Sequence, residues 1–207
     1  MLRAIMRHRF FIGILALLAL ALAVPAAAQT DEALHRNAVL NLMASSHGFP
    51  TRKQLLRTGK AAETNRILAD IVVDRHVADY LRLNSVRALE YFHTRRSEEV
   101  LMSTLYDKHT KNAYRAACLR ALARGFGVKM YFEILPFLRD DAPAVREGAA
   151  IALAEIDDDR VRGILANHLA NEPDLTVRMA FERALKMVEA RERAPAPPDT
   201  KKPIDEE

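Results

Sequence analysis

Nucleophiles, bases and metal ligands are the residues that could give this chain a chemistry, and few of them are spaced as chemistry requires. The single thiol, Cys118, lies in Tyr114-Arg-Ala-Ala-Cys-Leu-Arg-Ala-Leu122. A catalytic cysteine needs a base and an electropositive, partly open setting. Its neighbours here are alanines and leucines at helical spacing, so a small buried core residue is expected. Seven histidines stand at 8, 35, 47, 76, 93, 109 and 168, with neither H-x-x-x-H nor H-E-x-x-H spacing. Metal ligation would need histidines from distant segments to converge. Asp157-Asp158-Asp159 offers three carboxylates but lacks the glycine and terminal glutamate of a calcium loop, and reads as a solvated turn. The sequence carries no G-x-S-x-G, no phosphate-cradling glycine loop and no paired-carboxylate constellation. No catalytic residue, metal or cofactor is expected, and the chain is read as a non-enzyme.

Two terminal segments separate from the part that must fold. Arg3, Arg7 and Arg9 precede the uncharged run Phe10–Val24, which Pro25-Ala-Ala-Ala28 follows. This is the layout of a secretory signal peptide cut after Ala28. The 15-residue run would make a helix of only about 22 Å, short of a hydrocarbon core of roughly 30 Å. Export to the periplasm or beyond is expected, with no stable membrane insertion after cleavage; the alternative is a retained N-terminal anchor. Taking the three leader arginines from the 31 basic residues leaves 28 against 27 acidic ones. That balance lacks the clustered basic surplus of a nucleic-acid binder. At the other end, Arg191-Glu-Arg-Ala-Pro-Ala-Pro-Pro-Asp-Thr-Lys-Lys-Pro-Ile-Asp-Glu-Glu207 holds four prolines and nine charges in 17 residues. Such a stretch cannot bury enough surface to offset its ordering entropy, and 191–207 is expected to be a disordered tail.

Between these segments the chain repeats. Leu81-Arg82, Tyr114-Arg115, Val145-Arg146 and Val177-Arg178 are each followed at one offset by Ala88-Leu89, Ala121-Leu122, Ala152-Leu153 and Ala184-Leu185. The arginines are 33, 31 and 32 residues apart. Further columns hold the same phase: Leu101, Ile134 and Leu165; Leu105, Leu138 and Leu169; Asp107, Asp140 and Asn171. Projected back one period, they fall on Leu68, Val72 and Asp74. A fixed period of this length marks stacked repeats.

Each unit reads as two helices. Val145, Gly148, Ala149, Ala152 and Leu153 form one helical stripe, and Val161, Ile164, Leu165 and Leu169 form the next. Asp141-Ala-Pro143 and Asn171-Glu-Pro173-Asp174 supply caps and first-turn prolines. Polar links join the two helices: His93–Ser97, Gly125–Gly127 and Asp157–Asp159. No segment alternates as a strand does, so the fold class is all-α. Ahead of the repeats, Asp31–Ser45 reads as a helix, and Thr51 and Gln54 are spaced as a capping box. Residues 29–63 would cap one end of a repeat domain spanning 64–190.

The segment Arg139-Asp-Asp-Ala-Pro-Ala-Val-Arg-Glu-Gly-Ala-Ala-Ile-Ala-Leu153 resembles a HEAT repeat, of the phycocyanobilin-lyase type, and the resemblance extends over about 64–188. It implies an α-solenoid of stacked HEAT-like helical hairpins whose second helices line a concave binding face. It also implies that Arg82, Arg115, Arg146 and Arg178 are structural, pairing with acidic or carbonyl groups of the neighbouring unit. Lyase activity does not transfer with a scaffold. Outward positions of the second helices supply the candidate binding residues Met102, Tyr106, Phe132, Arg139 and Asn167, several of them types that carry interface energy. The expected function is an exported scaffold that binds a protein or peptide partner and no nucleic acid. The alternative is an accessory subunit or enzyme whose site is assembled across repeats, with His76, His93 or His109 among carboxylates. Nothing in the sequence fixes an oligomeric state.

Overall fold

The computed structural model describes residues 26–45 and 48–193; the leader up to Pro25 and the tail from Ala194 lie outside these residues. The described chain is all helical, with no strand. Helix α1 (Ala26–Met43) buries Val39 and Met43. The short α2 (Arg52–Leu55) opens on the expected capping box: Gln54 N–H donates to Thr51 Oγ1 at 3.3 Å, and Thr51 N–H donates to Gln54 Oε1 at 2.8 Å. Helix α3 (Ala61–Val73) then begins the stack. It starts three residues before the expected domain boundary at 64, because Ala61–Glu63 complete the turn that Lys60 initiates.

The repeats follow as pairs. Unit one is α4 (Asp79–Ala88) and α5 (Arg95–Tyr106). Unit two is α6 (Asn112–Phe126) with α7 (Tyr131–Ile134) and a 3-10 turn over Leu135–Arg139. Unit three is α8 (Pro143–Ala154) and α9 (Arg160–Asn171), and α10 (Leu175–Arg193) closes the series. First helices pack against first helices, and each second helix covers the seam beneath them. Leu68, Leu101, Ile134 and Leu165 are fully buried there, as are Val72, Leu105 and Leu138, while Leu169 near the last unit is half-buried. The columns read from the sequence are therefore the core.

Small residues let the first helices approach. A Cβ placed on Gly148 of α8 would lie 2.7 Å from Ala116 Cβ and 2.8 Å from Ala116 Cα of α6. Unit one carries Asn84 where its successors carry a small residue, and its Nδ2 donates to Met43 O at 2.9 Å, closing the end of α1. Buried polar groups are tied off at the same joint: Asn65 donates to Thr94 Oγ1 at 2.6 Å and accepts from Ser97 Oγ at 2.7 Å.

Several local expectations shift. Gly125 is not in a link but inside α6, where its close approach to Glu90 O leaves little room for a side chain. The turn begins at Gly127, whose φ of +59° suits glycine. Pro136 then breaks the second helix of unit two into α and 3-10 pieces, because proline removes a helical donor and crowds the preceding turn. Pro143 does start α8, but Asp141 does not cap it; Asp140 Oδ1 accepts from Ala142 N–H instead, at 3.0 Å. At the last unit Pro173 lies outside the helix, and Asp174 Oδ1 takes the N–H groups of Thr176 and Val177. Helix α10 continues to Arg193, past the expected tail boundary, since Arg191 donates to Ala154 O at 2.8 Å and pairs with Asp157 at 3.1 Å.

Candidate functional site

The repeated arginines form a ladder along one edge of the stack. Arg115 donates from Nε to Leu105 O of the preceding unit at 3.0 Å, and both terminal nitrogens hold Asp140 at 3.2 and 2.6 Å. Arg146 holds Glu172 through Nε at 2.9 Å and Nη2 at 2.7 Å, and its Nη1 donates to Asp140 O at 2.9 Å. Ahead of them, Arg36 holds Asp74 at 2.8 Å. For Arg115 and Arg146 the carboxylate belongs to the end of the arginine's own unit and the carbonyl to the unit before, so each of these two guanidiniums fastens two units. Glu172 takes the place expected of Asn171; the acid stands one residue further on. Burial raises the Asp140 carboxyl, but the Arg115 hydrogen bonds, the Ala142 N–H and the charges of Arg115 and Arg146 outweigh it and hold the group below its ordinary range. Arg146 does the same for Glu172. Arg178 is exposed and makes no such bond among the described residues.

The candidate binding residues separate into three places. Met102 is half-buried and packs against the core. Tyr106 is 53% exposed; its hydroxyl donates to Glu133 at 3.3 Å and its ring lies 5.4 Å from that of Phe137. Phe132, 66% exposed, meets the Tyr131 ring edge-on at 5.0 Å. The Arg160 guanidinium lies over both rings, 4.1 Å from Tyr131 and 5.0 Å from Phe132. Arg160 is in turn held by Asp158, which accepts its N–H as well as its side chain and is brought down to about 2. The acidic turn thus anchors a cation that stacks on aromatic rings. Arg139 and Asn167 line one cavity of about 500 Å³ with His168 and Asn171. His168 stacks on Phe181 at 6.2 Å, and burial together with Arg139 pushes its imidazole below the ordinary value.

Glu133, Phe137 and Arg160 are the residues the sequence reading passed over. A signal existed for Arg160, which directly follows the acidic triplet. His109 lines a cavity with Asp79 and Asp107, whereas His93 lines another. The backbone N–H groups of His76 and His109 donate to Asp74 and Asp107 in successive units, and the His93 ring lies near Phe126. His35 sits between Thr58 and Thr64. Cys118 is fully buried, and burial raises its thiol. Among the described residues no three His, Cys, Asp or Glu side chains are grouped to hold a metal ion, and no helix is long and apolar enough to cross a membrane.

Stacked helical hairpins with a fixed-period arginine ladder place the fold among the HEAT-like α-solenoids. Residues 133–186, from α7 into α10, match the family model for HEAT repeats. No curated protein matches the chain.

Proposed function

We propose that the chain is an exported, non-catalytic scaffold that binds a protein or peptide partner through the exposed face of its second helices, the face the repeat resemblance makes concave. HEAT repeats often serve protein interaction. The observation that carries the reading is the pair of exposed aromatic residues, Tyr106 and Phe132, on second helices whose Leu101, Leu105, Ile134 and Leu138 are buried in register. Aromatic residues of this kind anchor interfaces, because they bring large area at small entropic cost. Glu133 and Arg160 fix the two rings and so lower the ordering cost on binding. Arg139 and Asn167 lie apart from the two rings, in the cavity beside the Arg146–Glu172 clasp.

The test is a Tyr106→Asp, Phe132→Asp double variant, chosen in place of any change at Met102, whose contacts with the core would confound it. The variant should keep the helical content and unfolding midpoint of the parent and lose the partners recovered by cross-linking from a cell-envelope extract. An unchanged set of partners would overturn the reading. Export rests on the leader, and mass determination of the mature N-terminus should find Gln29 first; an intact Met1 in the membrane fraction would replace export with anchoring.

A further inference from the structure

One rung of the arginine ladder is built differently, and a cavity of about 470 Å³ lies beside it. Arg82 makes the standard backbone bond, from Nε to Val72 O at 3.1 Å, as Arg115 does to Leu105 O. Its terminal nitrogens do not hold the carboxylate that the period supplies. Asp107 is turned back onto its own loop, accepting from His109 N–H at 2.9 Å and from Thr110 Oγ1 at 3.1 Å. The nearest carboxylate to Arg82 among the described residues, Asp79, stands at 3.6 Å and is itself engaged by Lys111 and by the Tyr114 hydroxyl. The guanidinium lies over the Tyr114 ring, 5.2 Å from its centroid. The His109 N–H and Thr110 hydrogen bonds hold the Asp107 carboxyl below its ordinary range, and the charge of Arg75 adds to them. Arg75, exposed and in no ion pair among the described residues, faces the same cavity. Its walls therefore carry Arg75, Arg82 and Lys111 against Asp79 and Asp107, one cation in excess.

We propose that this cavity receives the carboxylate side chain of an acidic peptide segment of the partner, held by Arg82 with Arg75 and Lys111 beside it. The chain itself provides the template: the same column of arginines grips Asp140 and Glu172 through paired N–H donors, the geometry in which guanidinium binds carboxylate best. In unit one Thr110 satisfies Asp107, so the acid has to come from elsewhere. An apolar neighbour to that acid is also expected. Val73 lines the cavity and is exposed, and it occupies the repeat position that Tyr106 occupies one unit on. The proposal rests on the second-helix face as the peptide-binding surface and specifies its charged end.

A phage-displayed random peptide library selected on the purified full chain tests it. Enriched peptides should carry Asp or Glu next to an apolar residue. Changing that acid to the amide, or introducing Arg75→Gln with Lys111→Gln, should weaken binding about tenfold or more, the loss expected for a charge-assisted contact. Arg82→Gln should do the same, and because Arg82 also bonds Val72 O its unfolding midpoint is measured alongside. The exposed Arg75 variant keeps the result readable if Arg82→Gln unfolds. Enriched peptides without an acid, or unaffected by the cation variants yet lost with Tyr106→Asp and Phe132→Asp, would overturn the carboxylate site and leave the face standing. Loss with the cation variants alone would support the site and remove the aromatic face. No enrichment at all would overturn both. Removal of 194–207 should leave affinity unchanged, and a tenfold gain would overturn the partner as occupant in favour of this chain's own acidic end.

Discussion

At the residue scale the arginine ladder divides structural cations from free ones. Arg115 and Asp140 are both largely buried, so removing the guanidinium leaves a carboxylate without its partner. Arg115→Met should cost about 3 kcal/mol in urea unfolding. Arg178→Met, at the same column but exposed, should stay within about 0.5 kcal/mol. The two carboxylates also set an acid limit. Asp140 and Glu172 are held below their ordinary values. Their contribution is complete above the unfolded-state values near about 4 and is lost as pH falls through the lowered folded-state values. Arg115→Met should accordingly flatten the fall in stability below that pH. His168 has the same sign: the folded chain favours neutral imidazole, so acidification through about 6.5 removes stability. Arg139→Gln should raise the His168 pKa, read from its ring resonances by NMR, while Lys186→Gln on the exposed side of α10 should not. The ladder's columns were legible because the period fixes them. The choice made by Asp107 was not, since a hydroxyl three residues away decides it, and a residue count says nothing of where a carboxylate turns.

Elements were legible wherever the apolar stripe was long. The helices of units one and three follow from spacing alone, and Thr51 with Gln54 marks α2 through a pattern that has one physical use. Unit two was misread because Gly125 and Gly127 look alike in sequence but do opposite jobs. Gly125 makes room for a neighbouring carbonyl, and Gly127 turns the chain. Phe132 was legible as exposed but not as Arg160's partner, because that contact crosses from one unit to the next. Glycine in the helices gives a paired test. Gly148→Ala forces a methyl against the Ala116 backbone and should lower stability by about 1–3 kcal/mol. Gly163→Ala, with nothing within 4 Å of the new methyl, should raise it by about 0.5–1 kcal/mol. Thermal unfolding of the two variants should shift in opposite directions.

For the molecule as a whole, Cys118 at the centre of the stack reports on cooperativity. It is fully buried and its thiol is pushed up by that burial, so a thiol reagent should reach it only when the middle units open. Labelling rates measured across a urea series should rise in step with loss of helix; a fast rate independent of urea would mean that unit two opens by itself. The two complete clasps of the ladder are local. Arg115 and Arg146 each draw a carboxylate from the end of their own hairpin and a carbonyl from the hairpin before, so neither clasp reaches beyond an adjacent pair. Copying the hairpin of unit two or unit three in tandem would therefore lengthen the rod without stranding a charge, and excising one would leave the ends able to rejoin. A gene built this way can change the reach of its product by duplication alone.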